Sequence, residues 1–347
     1  MKGVTVGQPG EVVWLDYPDP TLGPGEVLLA PLACGICTTD VKLVKAGSDG
    51  KTQYALGHEL VGRISAVEGA GPWTAGQRVV AAPYVNCGSC YYCQHNQPTL
   101  CLHLFENSLN PGGLAQRVRL PRRLAERGLI GVPDHVSDEA AALSEPVGCA
   151  IKGVEDSGVM PGDSVLIVGD GPMGLICAAA ARAYGAAPVI VAGLTPHRLE
   201  SAARVADAVI DVSKQDLRTA VRALTGGRGA DVVMAVVSEG PPLESAISAV
   251  RPGGMVNAFA GVAKGTTIPL DVRRLHYEQI YLTGSFGVGP EHMARALHLL
   301  AAGRIDSSAL ISARFPFAQT PAAVAYAADR AGLKAMVIFN DQPVQEH

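Results

Sequence analysis

The sequence carries little charge and lacks the features that mark several classes of protein. Only 17% of its 347 residues are charged and 48% are hydrophobic, which excludes an intrinsically disordered chain. Lys and Arg number 28 against 32 Asp and Glu, and no basic stripe occurs, which argues against nucleic acid as a partner. Low-complexity segments and internal repeats are also missing. What remains is a globular chain whose length suits two domains.

Signals for secretion and for membrane insertion are missing as well. The N-terminal segment MKGVTVGQPGEVVW has no apolar core followed by a cleavage site, so we expect no secretory signal. The most apolar long window, 175–194, contains Arg182 and a Gly-Ala-Ala-Pro break, and we interpret it as a buried helix followed by a buried strand. Eight cysteines in a chain of this length do not fit a small secreted disulfide scaffold. We therefore expect a soluble, cytoplasmic protein.

The pattern of hydrophobic residues changes near residue 146. Residues 1–146 contain short strand-forming runs separated by many turns, which predicts a mostly β domain. From Val165 onward, apolar runs alternate with helical stretches, which is typical of an α/β fold with helices on both faces of a parallel sheet. The predicted strands are VLIVG, PVIVAG, AVID, ADVVMAVV, GMVNAFAG and IYLTGS.

A glycine-rich turn connects the first of these strands to an Ala-rich helix. Gly169, Gly171 and Gly174 give the spacing G-x-G-x-x-G, in the context that a dinucleotide-binding turn of a Rossmann domain requires. The first glycine permits the tight turn, the second lets backbone amides approach a pyrophosphate, and the third lets the helix pack on the strand. Pro172 and Met173 complete the turn at the positive end of the helix dipole. The alternative is a helix-start turn with no ligand.

The chain lacks an acidic residue where NAD-binding domains usually have one. About twenty residues after the glycines, an Asp or Glu usually binds the 2′-hydroxyl of the adenosine ribose, but Gly193 stands nineteen residues after Gly174. Gly193 leaves room for a 2′-phosphate and removes a repelling charge, and Thr195, His197 and Arg198 offer partners for that phosphate. We therefore predict NADP rather than NAD. The alternative for Arg198 is a solvated helix residue.

Four cysteines lie within fifteen residues of each other. Cys87, Cys90, Cys93 and Cys101 have the spacing C-x2-C-x2-C-x7-C, which lets four thiolates close around zinc with no open position, so we predict a structural zinc site. Disulfides and an iron–sulfur cluster are the alternatives, and the long last gap without a following Pro counts against the cluster. A free-standing zinc ribbon for nucleic acid would need surrounding Lys and Arg that are missing here.

A second set of metal-binding residue types lies nearer the N-terminus. The segments LACGICTTDVK and GHELVGRI contain Cys34, Cys37, Asp40, His58 and Glu59. Thiolate, imidazole and carboxylate suit a zinc ion that has three protein ligands and one open position. Alone, Cys34 and Cys37 are compatible with a redox pair, and a lone histidine such as His58 is more often a hydrogen-bonded structural residue than a ligand. The four-cysteine loop and the dinucleotide turn in the same chain favour a catalytic zinc.

Together these motifs resemble the zinc-containing medium-chain dehydrogenase/reductase family over essentially the whole chain. The resemblance is carried, in the family's order, by GICTTD, GHE, the four-cysteine loop, SEPVGCA and GDGPMG. SEPVGCAIKGV and LHYEQIYLTGSFGV are similar to the sorbitol and iditol (polyol) dehydrogenase branch, which has threonine and cyclitol dehydrogenases as neighbours. The resemblance implies a GroES-like catalytic domain of residues 1–146 and 287–347 and a Rossmann domain of residues 147–286.

The resemblance also implies the ligands of the catalytic zinc. Cys37 corresponds to the thiolate ligand and His58 to the imidazole ligand. Glu145 stands where the family places its third protein ligand, Glu59 is the rival carboxylate, and in polyol-type relatives these two share or exchange the coordination. Asp40 is implied as a partner that orients a ligand.

The implied reaction is hydride transfer between a secondary alcohol and a nicotinamide dinucleotide. Zinc acts as a Lewis acid on the substrate hydroxyl, and Thr39 relays the proton. We predict a polyol or cyclitol as substrate, two zinc ions per chain, and NADP before NAD. Lys42 stands where relatives often have a His, so the sequence does not identify the group that finally releases the proton. Weaker expectations are substrate contacts from residues 105–107 and Phe286, which is equally compatible with a core position, and a contact of Val262 with the nicotinamide.

Other functions stay open at the level of sequence. One is an amino-alcohol dehydrogenase similar to threonine 3-dehydrogenases. Another is a zinc-free quinone or enoyl reductase of the same superfamily, and a third is a non-catalytic NADP-binding module. Relatives are commonly homodimers or homotetramers, so we expect a homo-oligomer whose other partner is a small-molecule alcohol, with no nucleic acid and no membrane.

Overall fold

The computed structural model describes residues 1–48, 56–69 and 71–339, which fall into two units. The first unit contains Met1–Glu145, Val288–Ala302 and the chain from Ile311 onward, and the second contains Pro146–Gly287 and Gly303–Leu310. The resemblance implied that all of 287–347 belongs to the zinc-binding domain, whereas 303–310 group with the second unit. In this stretch Asp306 forms an ion pair with Arg204 of the second unit, and Ile305 is buried.

The described residues among the first 142 form short strands and helices joined by turns. In chain order the elements are β1 (Lys2–Val6), β2 (Val12–Asp16), β3 (Val27–Gly35), α1 (Thr38–Ala46), β4 (Glu59–Val67), β5 (Arg78–Ala81), α2 (Tyr91–Gln94), β6 (Val118–Leu120), α3 (Arg122–Arg127), β7 (Leu129–Gly131) and α4 (Asp138–Ala142). Short 3-10 helices cover Pro98–Leu100 and Leu104–Glu106.

The next 140 residues alternate strictly between helix and strand. They comprise α5 (Ser144–Asp156), β8 (Val165–Val168), α6 (Pro172–Ala183), β9 (Val189–Gly193), α7 (Pro196–Ala202), β10 (Ala208–Asp211), α8 (Leu217–Leu224), β11 (Ala230–Ala235), α9 (Gly240–Ala249), β12 (Val250–Ala258), α10 (Val272–Tyr277) and β13 (Tyr281–Gly284). The chain ends with α11 (Pro290–Ala301), β14 (Ile311–Pro316), α12 (Thr320–Ala328) and β15 (Lys334–Ile338), with 3-10 helices at Ser307–Ala309 and Phe317–Gln319.

The main sheet of the first unit brings distant parts of the sequence to one edge. Its strand order in the described chain is β14-β15-β3-β4-β5-β7, with β6 also paired to β3, while β1 and β2 form a separate antiparallel pair. The pairings of β15, β3, β4, β5 and β7 are antiparallel. Gly35 at the end of β3 lies opposite both Glu59 at the start of β4 and Met336 in the middle of β15, and the N–H of the following Ile36 donates to Ala335. The end of β3 and the starts of β4 and β15 therefore meet.

The sheet of the second unit has the strand order β10-β9-β8-β11-β12-β13, and all its pairings are parallel. This is the 3-2-1-4-5-6 order of a dinucleotide-binding α/β fold, so the predicted doubly wound parallel sheet is confirmed. Every residue of β8 and β9 is buried, because helices cover both faces of the sheet and leave no solvated face for polar residues. The six predicted strands all occur, although β12 begins four residues before the predicted run.

The apolar window at 175–194 is divided as predicted between α6 and β9. Across the described ranges, no helix is both long and apolar enough to cross a membrane.

Candidate active site

The glycine-rich turn between β8 and α6 has the geometry that a bound pyrophosphate needs. Gly169 has a φ of +129°, and a Cβ there would lie 2.6 Å from the carbonyl oxygen of Val236. A Cβ on Gly174 would overlap the carbonyl oxygen of Gly169, so helix and turn touch directly. A Cβ on Gly171, the N-cap of α6, would meet nothing within 4 Å. Gly169 and Gly174 thus make the turn possible. Gly171 leaves open space at the helix N-terminus, where Pro172 begins the helix.

The space above Gly193, which the sequence left empty for a 2′-phosphate, is filled by another side chain. A Cβ on Gly193 would lie 2.5 Å from Oδ2 of Asp170, the second residue of the glycine-rich turn. Oδ2 of Asp170 accepts hydrogen bonds from the backbone N–H of Leu194 at 2.9 Å and of Thr195 at 2.7 Å. The premise that no acidic group lies here is therefore wrong, because the turn after β8 supplies the carboxylate of Asp170.

The remaining residues predicted to bind the 2′-phosphate lie at the start of α7. Thr195 is its N-cap and is partly exposed, while His197 is exposed. Arg198 is only 6% exposed, and its Nε atom is buried. It is therefore not the solvated helix residue of the alternative interpretation. Val262 is 45% exposed in the loop after β12.

The four cysteines predicted to bind zinc form one cluster. The Sγ atoms of Cys87, Cys90, Cys93 and Cys101 all lie within 4.8 Å of one another. Backbone N–H groups point at the sulfurs: the amides of Ser89 and Cys90 donate to Cys87 at 3.4 and 3.3 Å. These bonds lower the pKa of Cys87 to about 5, because they stabilise the thiolate. A preformed set of four sulfurs of this kind fits a closed structural zinc site.

Cys37, His58 and Glu59 form a second cluster, in which the ligand atoms also lie within 4.8 Å of one another. The register of the first-unit sheet explains it, because Cys37 follows the end of β3 and the other two stand at the start of β4. Burial lowers the pKa of His58, but the charges of Cys37 and Asp40 outweigh it and the net pKa lies well above the ordinary value. The same negative charges that favour a positive charge on this half-buried imidazole also favour a metal cation, which binds the neutral imidazole.

Glu59 provides the clearest evidence that a group belongs in this cluster. Glu59 is fully buried, and its Oε2 atom has no hydrogen-bond partner among the described residues. A Cβ on Gly35 would overlap that same Oε2, so the absence of a side chain at 35 is what makes room for it. A buried carboxylate oxygen without a partner carries a free-energy cost that a metal ion removes. The donor set of thiolate, imidazole and carboxylate fits zinc.

Lys334, which the sequence analysis did not single out, holds the other oxygen of this carboxylate. Its Nζ donates to Oε1 of Glu59 at 2.6 Å and to the carbonyl oxygen of Ile36 at 3.2 Å, and the residue is 3% exposed. Burial lowers the pKa of Lys334, but the charges of Glu59 and Cys37 outweigh it, so the ammonium stays charged. The signal in the sequence is a lysine at the start of the otherwise apolar strand KAMVI. Lys334 leaves Oε2 as the oxygen available to a metal.

Asp40 contacts the backbone and side chains of the cluster without entering it. Its Oδ2 accepts from the N–H of Cys37 at 2.9 Å, and its Oδ1 accepts from the N–H of Gly57 at 2.9 Å and lies 3.8 Å from Nδ1 of His58. The residue is 1% exposed. It therefore fixes the chain on both sides of the cluster, which is the positioning role that the resemblance implied.

Cys34 and Glu145 are placed differently from the cluster residues. Burial, with the charges of Asp40 and Glu59, raises the pKa of Cys34 well above its ordinary value, so its thiol stays protonated. Glu145, in the first turn of α5, is 6% exposed and raises the pKa of His58. It does not belong to the group of mutually close ligand atoms. The geometry thus groups Glu59, the rival carboxylate, with Cys37 and His58.

The other predicted contacts are exposed side chains. The hydroxyl of Thr39 in the first turn of α1 lies 3.6 Å from Sγ of Cys37, and Lys42 is exposed on the same helix. Phe105 is 65% exposed and packs edge-on against Tyr84 with ring centroids 5.2 Å apart. Phe286 is 55% exposed, so it is not a core residue.

Comparisons with known proteins identify the family of the chain. The chain matches the zinc-binding dehydrogenase family over residues 172–302 and the alcohol dehydrogenase GroES-like domain over residues 23–134. Sorbitol dehydrogenase of Bacillus subtilis (strain 168) is 31% identical over 92% of this chain and 91% of its own length. L-galactonate-5-dehydrogenase of Escherichia coli (strain K12) is 32% identical over 90% of each chain. A solved structure of a zinc-binding dehydrogenase from Sinorhizobium meliloti 1021 bound to NADP has a TM-score of 0.88 at 27% identity, covering 97% of this chain and 98% of its own.

The chain therefore belongs to the zinc-containing medium-chain dehydrogenase/reductase family and is an oxidoreductase of the alcohol dehydrogenase type. Within the family it lies in the polyol dehydrogenase-like branch, close to the threonine dehydrogenases. The resemblance stated from the sequence motifs is confirmed.

Proposed function

We propose that the protein transfers hydride between a secondary alcohol of the polyol or cyclitol class and a nicotinamide dinucleotide, with the help of a catalytic zinc. The observation that supports this most is the cluster of Cys37, His58 and Glu59, because three side chains of the types that zinc prefers bring their ligand atoms within 4.8 Å of one another. In addition, Oε2 of Glu59 is buried and lacks a hydrogen-bond partner among the described residues. Sorbitol and L-galactonate, named in two relatives, are hydroxyl-rich compounds, which supports the substrate class.

The residues of the cluster have separate tasks in this proposal. Cys37, His58 and Glu59 would hold the catalytic zinc, and Glu145 would be the carboxylate available for exchange. When bound, the zinc supplies a Lewis acid that makes a substrate hydroxyl more acidic. Asp40 keeps the backbone on both sides of the cluster in place. Thr39 presents an exposed hydroxyl 3.6 Å from Cys37, where it accepts the substrate proton and passes it on.

The glycine-rich turn supports the second half of the proposal. Gly171 leaves open space at the N-terminus of α6. A pyrophosphate there would accept hydrogen bonds from backbone N–H groups, and the helix dipole would favour its negative charge. The dinucleotide then supplies the hydride chemistry itself. The sequence-based preference for NADP depended on empty space at Gly193, and Asp170 fills that space.

A second zinc ion is proposed for the four-cysteine cluster. Four sulfurs within 4.8 Å of one another leave no open position, so this zinc would hold the loop between β5 and β6 rather than take part in the reaction. Two zinc ions per chain are therefore expected.

Metal analysis of single variants tests the catalytic zinc. Wild-type protein should contain two zinc ions per chain, and Cys37→Ser should contain one and lose alcohol turnover by more than about 100-fold, because a ligand and a charge are removed. Cys177→Ala is the matched control, since Cys177 is buried inside α6 and belongs to neither cluster. A Cys37→Ser variant that keeps two zinc ions, or full turnover, would contradict the assignment.

A turnover screen separates the competing functions. Polyols, cyclitols, amino alcohols and threonine are each offered with NAD and NADP. Preferred turnover of threonine would replace the polyol proposal with the amino-alcohol alternative, which a threonine dehydrogenase relative at 29% identity supports. Turnover that survives chelation of the catalytic zinc would indicate a zinc-free reductase, and dinucleotide binding without turnover of any alcohol would indicate a non-catalytic module. A homodimer or homotetramer and a cytoplasmic location stay predictions.

A further inference from the structure

Asp170 connects the two strand ends at which a Rossmann domain binds the adenosine half of its cofactor. It stands in the turn after β8, and its carboxylate reaches the end of β9. There its Oδ2 accepts the N–H groups of Leu194 and Thr195, the two residues between β9 and the first turn of α7. The carboxylate therefore lies where an acidic residue at the end of β9 would otherwise place its own.

The observed position of the Asp170 side chain requires that residue 193 has no side chain of its own. A Cβ at 193 would lie 2.5 Å from Oδ2 of Asp170, so no side chain at 193 is compatible with the observed position of the aspartate. In this chain the acidic residue is thus relocated from the end of β9 to the preceding glycine-rich turn. Gly193 makes room for the carboxylate of Asp170, so it does not indicate that the loop lacks an acidic group.

We propose that Asp170 is the specificity-determining residue for the adenosine ribose and that it makes the protein prefer NAD to NADP. This inference rests on the proposed dinucleotide binding at the glycine-rich turn. The N–H groups of Leu194 and Thr195 at the end of β9 already donate to a carboxylate, so they are not free to donate to a 2′-phosphate. A 2′-phosphate of charge about −2 would be repelled by that carboxylate. A ribose hydroxyl instead donates a hydrogen bond to it, because a carboxylate has about four lone-pair sites.

The residue with the strongest chemistry for a 2′-phosphate does not offset this repulsion. Arg198 lies in the first turns of α7, but it is 6% exposed and its Nε is buried, so it is not held out as an open fork for a phosphate. His197 and Thr195 remain as weaker partners. The negative charge of Asp170 therefore outweighs the possible partners of a 2′-phosphate at this loop.

Direct binding of reduced cofactors tests the inference without any alcohol substrate. Cofactor fluorescence measures the dissociation constants of NADH and NADPH with the full-length protein. We expect wild-type protein to bind NADH at least about tenfold more tightly than NADPH, and Asp170→Asn to shift the ratio about tenfold toward NADPH. Asn keeps a side-chain oxygen for the two amides, so only the charge is removed. Asp163→Asn is the matched control, because Asp163 likewise accepts a backbone N–H, at Met160 in the loop before β8.

A second variant moves the carboxylate back to the usual position. Gly193→Asp alone should weaken both cofactors, because its side chain would collide with Asp170. The double variant Asp170→Gly with Gly193→Asp should regain the preference for NADH. Wild-type protein that binds NADPH as tightly as NADH, or a folded Asp170→Asn protein with an unchanged ratio, overturns the inference while leaving the proposed function intact. Wild-type protein that binds neither cofactor overturns the proposed function, and the inference with it.

Discussion

At the scale of single residues, the ion pair of Lys334 and Glu59 changes the net charge of the cluster formed by Cys37, His58 and Glu59. Both side chains are buried, at 3% and 0% exposure, and the Nζ–Oε1 distance is 2.6 Å. A buried pair of this kind gains little over an apolar pair, but each partner depends strongly on the other. Lys334 balances the charge of Glu59 and fixes its orientation at the same time.

Replacing Lys334 should expose this dependence. We expect Lys334→Met to lower the free energy of unfolding by about 3–5 kcal/mol, because the carboxylate of Glu59 is left buried without its counter-charge. Urea denaturation at neutral pH measures the change. Lys2→Met is the control, since Lys2 and Asp16 form an ion pair with side chains 60% and 79% exposed, for which less than about 1 kcal/mol is expected. Equal losses in the two variants would show that the buried pair has no special role.

At the scale of elements, the strands of the second unit are tied together by a polar group at their N-terminal ends. Asp231 at the start of β11 accepts hydrogen bonds from the N–H of Ser164 at 2.8 Å, from the hydroxyl of Ser164 at 2.5 Å and from Nε of Arg251 at 2.5 Å. Ser164 directly precedes β8 and Arg251 is the second residue of β12. One carboxylate on β11 therefore contacts residues at its two neighbouring strands, β8 and β12.

The stability contributed by Asp231 should depend on pH. Burial raises the pKa of Asp231, but the hydrogen bonds from Ser164 and Arg251 outweigh it, and the net pKa is lower than the ordinary value of 3.8. The contribution is therefore complete above pH 3.8 and is lost as the pH falls through the lower, folded-state pKa. We expect Asp231→Asn to be less stable than wild type at pH 6 and the difference to shrink below pH 4. Thermal unfolding over this range checks it.

Asp16→Asn provides the comparison for this pH series. Asp16 is 79% exposed in its ion pair with Lys2, so its loss should change stability little at any pH. A stability difference for Asp231→Asn that stays constant down to pH 2 would show that the folded chain does not depend on the charge of Asp231.

At the scale of the whole molecule, zinc and dinucleotide sites belong to separate units. The four-cysteine cluster and the Cys37 cluster lie in the first unit, and the glycine-rich turn with Asp170 lies in the second. The second unit has a buried cluster of its own, which includes Leu166, Ile190 and Val233. Loss of a metal from one unit should therefore leave the other unit's binding site intact.

A variant of the structural zinc site tests this independence. We expect Cys93→Ser to lose one zinc ion and to lower the melting temperature, because the loop between β5 and β6 loses the ion that closes it. NADH binding, measured well below the melting temperature, should stay within about twofold of wild type, since the site lies in another unit. Loss of NADH binding in a protein that remains folded would show that the units depend on each other.

Much of this architecture could be predicted because its signals are local. The spacing of Gly169, Gly171 and Gly174 and the alternation of apolar runs depend on neighbouring residues, and they predicted the turn and the parallel sheet. The four cysteines lie close in sequence, so their spacing alone indicated a cluster. The family resemblance identified Cys37 and His58, which the structure brings together with Glu59.

By itself, the sequence determined the fold class, the dinucleotide turn and the kinds of side chain at both proposed zinc sites. Only the tertiary structure decided which carboxylate lies beside His58, since the β3–β4 register brings Glu59 there, and the β3–β15 register adds Lys334 from the far end of the chain. Likewise, only the structure placed the carboxylate of Asp170 over Gly193. The physical reason is the same in both cases: a side chain's direction is set by strand pairing and by the space its neighbours leave, and neither depends on distance along the sequence.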